Sequence, residues 1–308
     1  MDHQTTQVKQ HYVDFLSDSR VWSRFISEIG FSTGDIIIAD PFKAGTTFTQ
    51  RVLDQILSNG EESKESLSDK SPWLDSSWGN HTAMLDTLAK QRKNQRRLMI
   101  KSHLPADFVP INPLAKYIFV GRNGKDLVCS FHNYLYNFNP ETVAKINQLH
   151  QAFSGSAEKM VIPADSAKFF DLFLNTAGGL GLCEVLKLTQ SWWNHKALPN
   201  VLLVHYSKLI GDFDNEVKRM AAFIGVDVAS LNIEKIKQNC SFAFMKENAD
   251  KFVPFNGEHM TDAKAFFHQG PERDSSKQIS AAQIAAFDAL ASVQMQQDCA
   301  KWLETGDF

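Results

Sequence analysis

DIIIADPFKAGTTFTQRVLDQIL, residues Asp35 to Leu57, sets a strand, a loop and a helix start in immediate succession. Ile36, Ile37 and Ile38 form a β-branched apolar run bounded by turn residues, the pattern of a buried strand. Pro41-Phe42-Lys43-Ala44-Gly45-Thr46-Thr47 follows as a compact loop. Phe48, Val52, Ile56 and Leu57 then recur at helical spacing, so the loop delivers the chain into a helix N-terminus. The first N–H groups of a helix lack internal partners, and its positive dipole end favours an anion. Lys43 adds a full charge, and Thr46 and Thr47 add hydroxyl donors. The stretch therefore points to a phosphate-type site; the plainer alternative is an ordinary βα turn with Lys43 solvated. It is not a Walker loop, because its lysine precedes its glycine.

Working outward, Arg97 to Ser102 (RLMIKS), Lys116 to Gly121 (KYIFVG) and Val201 to Tyr206 (VLLVHY) read as three more strands. Lys116 to Gly121 runs through Arg122-Asn123-Gly124-Lys125-Asp126 into a helix carrying Leu127, Val128, Phe131 and Leu135. Strands followed by turns and helices predict parallel strands with crossover helices, an α/β architecture. Residues before Phe31 predict one or two covering helices. Residues 58–72 read as a loop and residues 137–180 as irregular lid segments. Leu182 to Lys196, Asp212 to Ile224 and Leu231 to Gln238 read as helices. A last helix starts at Ser280 with a capping box to Gln283 and runs towards Trp302. With no repeat, low-complexity tract or linker, the reading is a single domain over 1–308.

Composition narrows the function classes. The 308 residues carry a formal charge of -3, so no global basic field suggests nucleic acid, and any anion site is local. No apolar run approaches the ~20 residues of a membrane span. The polar N-terminus, MDHQTTQVKQ, lacks a secretory apolar region, and a cytoplasmic location is expected. Cys129, Cys183, Cys240 and Cys299 are scattered, which suggests reduced packing thiols and no metal site.

Polar clusters fall at four strand ends: Lys43/Thr46/Thr47, Lys101/His103, Arg122/Ser130 and His205/Tyr206. In an open parallel sheet, ligands bind outside the carboxyl ends of the strands, so neighbouring strands would bring these clusters to one crevice. There His103 is a candidate general base, and Arg122 with Ser130 a candidate second phosphate clamp.

These segments, in order, resemble the cytosolic sulfotransferases, which use 3′-phosphoadenosine-5′-phosphosulfate (PAPS). The family's Y-P-K-S-G-T-T-W is similar to Pro41-Phe42-Lys43-Ala44-Gly45-Thr46-Thr47-Phe48, and its K-T-H-L-P to Lys101-Ser102-His103-Leu104-Pro105. Its A-R-N-P-K-D-x-x-x-S resembles Gly121 to Ser130, its F-Y strand end His205-Tyr206, and its T-S-F-x-x-M Cys240 to Met245. The resemblance implies a P-loop-like sulfotransferase fold with a central parallel sheet flanked by helices. It implies that Lys43, Ala44, Gly45, Thr46 and Thr47 hold the 5′-phosphosulfate, and that Arg122 and Ser130 hold the 3′-phosphate. Phe48, where the family has Trp, and Phe242 would sandwich the adenine beside Tyr206, Cys240 and Met245. His103 would be the base, with Lys43 and Lys101 stabilising charge during an in-line transfer to a hydroxyl or amine. The product is adenosine 3′,5′-bisphosphate (PAP), and no metal is required.

Two departures stand out. Where the family has R-K-G-x-x-G-D-W-K, this chain has His268-Gln269-Gly270-Pro271-Glu272-Arg273-Asp274-Ser275-Ser276; Gly270 remains, and Arg273 or Lys277 is left to replace two cations. The family's K-x-x-x-T-V-x-x-x-E dimerisation motif is not recognisable, so oligomeric state stays open. The acceptor, a small molecule, should meet residues around Trp73–Met84, Phe131–Gly181 and Glu247–Met260. Asp75, Glu247, Asp250 and Glu258 suggest a polar or cationic one, a solvated surface being the alternative. Other readings of the same residues are a nucleotide-dependent phosphotransferase and a non-catalytic nucleotide-binding module.

Overall fold

Four strands, β1 (Ile36–Ala39), β2 (Met99–Ser102), β3 (Lys116–Gly121) and β4 (Val201–His205), form one parallel sheet in the order β2-β1-β3-β4. This computed structural model describes residues 11–14, 16–154, 159, 161–176, 181–267 and 278–308; the expected contacts of Gly270, Arg273 and Lys277 lie outside them. β1 alternates between two cores, as a period of two requires. Ile37 and Ala39 face one cluster with Tyr117, Phe119 and Trp192, while Ile36 and Ile38 face the other with Val52, Leu53 and Met220. Burial on both faces is why the strands read as continuous apolar runs.

The helices are α1 (Val21–Glu28), α2 (Thr46–Ser58), α3 (Leu67–Lys70), α4 (His81–Lys93), α5 (Gly124–Tyr136), α6 (Pro140–Ser154), α7 (Ser166–Asn175) and α8 (Leu182–Trp193). They continue as α9 (Tyr206–Gly211), α10 (Phe213–Phe223), α11 (Ile233–Asn239), α12 (Phe242–Glu247), α13 (Ala249–Phe252), α14 (Ala281–Gln294) and α15 (Gln297–Thr305). The chain leaves β1 for β2 on one side and returns to β3 on the other. The strand order therefore switches at β1, where a crevice opens beyond the carboxyl ends.

Three expectations need correction. The described part of 137–180 is largely helical: it contains α6 and α7, the latter N-capped by Asp165 and fixed by burial of Phe169, Phe170 and Phe173. Residues 58–72 include the short helix α3, capped by Ser66. The last helix begins with the capping box at Ser280 but breaks at Met295, whose extended backbone separates α14 from α15.

Candidate active site

The loop after β1 is held in an unusual backbone path. Lys43 has φ 63°, a left-handed conformation rare for a side chain with a Cβ, and Gly45 has φ 122°. A Cβ on Gly45 would stand 2.5 Å from Cδ2 of Tyr206, so only glycine lets the ring close on the loop. Positive φ at a residue with a Cβ costs free energy, and such conformations cluster where function demands them.

The four strand ends reach one cavity. Lys43, Gly45, Thr46, Thr47 and Phe48 line it from the first, Lys101 and His103 from the second, Arg122 and Ser130 from the third, and Tyr206 from the fourth; Met245 joins them. Phe42, Trp73, Asn133, Tyr134, Pro254, Phe266 and Phe267 complete the wall. No carboxylate is among these lining residues. Asp75 is fully buried, taking hydrogen bonds from Trp22 Nε1 at 3.1 Å, Trp73 Nε1 at 2.8 Å and the His103 N–H at 3.2 Å. Burial raises its carboxyl above the ordinary value. Glu247, Asp250 and Glu258 are exposed away from the cavity, so the acidic fringe anticipated for a cationic acceptor is not part of its lining.

Several named residues sit elsewhere. Ala44 is buried in the core, its side chain away from the cavity; the backbone at that position is what the loop offers. Cys240 follows α11 and turns into the core behind β1, 2% exposed, where burial pushes its thiol up to about 12. Phe242 is 37% exposed and meets Phe267 edge-on at 6.1 Å, at the rim rather than in the wall. His205 accounts for its own two nitrogens, on Ser207 Oγ at 2.7 Å and the Leu303 carbonyl at 3.1 Å, and so anchors α15. Thr46 lines the cavity, but its hydroxyl donates to Asp40 Oδ2 at 2.5 Å, which commits that donor.

The cations are set by their neighbours. Lys43 Nζ lies 3.4 Å from the Phe266 ring centroid and 4.5 Å from that of Tyr134. Arg122 donates from Nη1 to the Lys43 carbonyl at 3.1 Å and stacks over Tyr206 at 4.5 Å, while its buried Nε has no partner. Lys101 is 6% exposed, and burial pulls its ammonium down to about 8 against the opposing effect of Asp40 and Asp75. Residues 72–74 run along the outer edge of β2, with Lys101 N–H donating to the Pro72 carbonyl and Leu74 N–H to that of Lys101. This pairing lays Trp73 beside the cavity, and its ring stands 5.0 Å from Lys101 Nζ.

Two imidazoles are close by. His103 packs against Phe42 at 4.1 Å and Trp73 at 4.8 Å between centroids. Its Nδ1 is 2.7 Å from the Asp40 carbonyl oxygen, which can only accept, so Nδ1 carries a hydrogen, and the neutral ring has its lone pair on Nε2. His259 lies behind Tyr134, with Nε2 2.8 Å from the phenol oxygen. Burial, with Lys43 and Lys101 near, lowers His259 to about 4, too weak a base for proton abstraction. Tyr134, Phe266, Phe267 and Pro254 were not singled out from the sequence. Tyr134 had a signal: it follows Ser130 by four residues on α5 and so shares its face.

Comparison with known proteins fits this geometry. Residues 33–298 match the sulfotransferase-domain family. A glycolipid sulfotransferase of Mycobacterium bovis is 25% identical over 96% of this chain and 94% of its own length. Sulfotransferase 1B1 of Mus musculus is 26% identical over 89% and 86% respectively. In fold, the chain is similar to a mouse sulfotransferase complexed with PAP, at a TM-score of 0.68, 21% identity and coverage of 98% and 99%. It is also similar to retinol dehydratase in complex with androsterone and PAP, at a TM-score of 0.63, 14% identity and coverage of 96% and 91%. A match running from before β1 to within α15 takes in every strand and every turn that follows one, and by it this chain belongs to the sulfotransferase family.

Proposed function

We propose that this enzyme moves the sulfuryl group of PAPS to a hydroxyl or amine of a small-molecule acceptor, with His103 as general base. One observation carries the reading. Lys43, Lys101 and Arg122 come from three strand ends and share one cavity with His103, whose described lining residues include no carboxylate. A net-negative protein has gathered cations where a polyanion would sit.

The residues present fit that donor. The buried Arg122 Nε lacks a partner, and a phosphate oxygen is the acceptor a guanidinium suits best. Gly45 lets the Tyr206 ring close on the loop, and the first N–H groups of α2 point where an anion gains most. Phe48 and Tyr206, 6.2 Å apart and edge-on, supply aromatic surface for a base. When bound, PAPS supplies an activated sulfuryl group on a phosphate leaving group.

The chain's own residues do the rest. His103 takes the acceptor's proton on Nε2, while Lys43 and Lys101 offset negative charge as it builds on the transferring group and the departing phosphate. Nothing in the assigned roles needs a metal. The acceptor wall of Phe42, Trp73, Tyr134, Phe266 and Phe267 suits a flat apolar body bearing the nucleophile, more than a cation. A cytoplasmic location belongs to the same proposal and suits a chain whose cysteines form no disulfide.

The experiment is a transfer assay with PAPS and a panel of phenols, alcohols, amines and glycolipids, with and without magnesium. Wild type should release PAP with at least one acceptor and no metal, and His103→Ala should not, while still binding PAP. Full turnover by His103→Ala removes the base; strict magnesium dependence with ATP as donor favours the phosphotransferase. Binding of PAPS without transfer to any acceptor favours the non-catalytic module.

A further inference from the structure

Asp40 is fully buried at the end of β1 and is not among the residues lining the cavity. All of its acceptor atoms nonetheless face the site. Its carbonyl oxygen is 2.7 Å from His103 Nδ1, its Oδ1 is 3.0 Å from the same nitrogen, and its Oδ2 takes the Thr46 hydroxyl at 2.5 Å. The Nδ1–H is aimed at the carbonyl, which leaves Oδ1 close to the ring but without a hydrogen-bond partner. A buried carboxylate oxygen in that condition is costly, and it is placed where a positive charge would relieve it.

We propose that Asp40 is the positioning residue of His103, and that through Thr46 it ties the base to the first turn of α2. The proposal rests on the reading of His103 as general base. In the reaction, the acceptor's electron pair forms the new bond to sulfur. The bond from sulfur to the bridging oxygen breaks, and its electrons leave on the phosphate. The acceptor's proton passes to Nε2. The imidazole thus becomes a cation only as transfer proceeds, and Oδ1 then faces a positively charged ring 3.0 Å from its Nδ1. An interaction stronger in the transition state than in the resting enzyme is one that accelerates the chemical step. The carbonyl selects the tautomer, the carboxylate stabilises the charge, and Thr46 couples both to the loop that grips the donor. Other charged groups also bear on the ring. Asp75 holds the His103 backbone N–H from residues 72–76, and Lys101 of β2 and Lys43 of the loop line the same cavity.

The first test needs no variant: nitrogen-15 NMR of wild-type imidazoles in the unliganded protein. His103 should show the Nδ1–H tautomer; the Nε2–H tautomer would overturn the proposal. The second test compares Asp40→Asn, His103→Ala and the double variant in the transfer assay. Asp40→Asn should lower kcat by about ten- to a hundredfold, as loss of a supporting carboxylate does elsewhere, with KM for PAPS unchanged. Its acid limb should move to lower pH, because an imidazolium without its anion gives up its proton more readily. The double variant should be no slower than His103→Ala. Additive losses, or an unmoved acid limb in Asp40→Asn, would show that Asp40 acts only on structure. Undiminished turnover in His103→Ala would instead remove the base itself, and with it any catalytic part for Asp40.

Discussion

The two halves of the cavity are built in different ways. The donor half comes from the residues that follow three neighbouring strands, β1, β3 and β4: Lys43 to Phe48, Arg122 and Tyr206, with Ser130 two helical turns on. Each is placed by a short-range rule: a strand ends, a turn follows, and a helix begins. The acceptor half is assembled from Trp73, Tyr134, Pro254, Phe266 and Phe267, which reach the cavity from a sheet-edge segment, a helix face and two loops. Their positions depend on long-range packing. A backbone bridge between Phe138 and Met260 and the Tyr134–His259 bond hold the last two segments against α5. On the proposed reading, the strand tips, tied to the sheet, would define which donor binds, whereas the opposite wall can change with loop sequence and so would set which acceptor is used.

The contrast can be broken at its junction, where His103 faces both halves. His103→Ala should lower turnover by about 10²–10⁴-fold, the usual worth of a positioned general base, while calorimetry shows PAP binding intact. Loss of PAP binding as well would place His103 in the donor half. Within the donor half, Arg122→Ala should weaken PAP by about 1.5–3 kcal/mol, the range for a charge-assisted hydrogen bond, with acceptor KM unmoved. An unaltered PAP affinity would show that Arg122 serves only the Lys43 carbonyl.

Lys101 sharpens the comparison through pH. Its ammonium is the working form and is held down to about 8 by burial, so kcat/KM should fall as pH rises through that value. Lys101→Arg, which keeps its charge, should abolish this basic limb; a limb that persists belongs to another group. On the acceptor side, Phe266→Leu takes an aromatic ring out of the acceptor wall and should raise acceptor KM by about two- to twelvefold, the ~0.5–1.5 kcal/mol of one aromatic pair. PAP affinity should hold, and an equal loss in both would mean the halves are not separable. The smallest effect expected is Phe48→Trp, where a larger stacking surface should tighten PAP by about 0.5–1 kcal/mol.

The same division explains what could be read from the chain before its structure. The apolar runs bound β3 to the residue and β1, β2 and β4 within one or two, because buried parallel strands are apolar runs closed by turns. The convergence of Lys43, Arg122 and His103 followed from topology alone. What escaped depended on where a helix points. Cys240 shares its segment with Met245, yet packing of α11 against α2 turns one into the core while the other reaches the cavity. α6 and α7 were hidden by neighbouring glycines and a cluster of Phe that reads equally well as loop. The sequence offers the Thr46 hydroxyl to the donor, and it does not foretell the buried Asp40 beside it that takes that hydroxyl's hydrogen. A buried acid at a strand tip has no periodicity to betray it.

The central claim is that separate strand ends make one site for a doubly phosphorylated adenosine. Calorimetric titration of PAP into the wild-type protein, with a chelator present, tests it most directly. The account predicts a single site per chain that needs no metal and is lost or greatly weakened in both Lys43→Ala and Arg122→Ala. Absence of PAP binding, or tighter binding of ATP that appears only with magnesium, would contradict it.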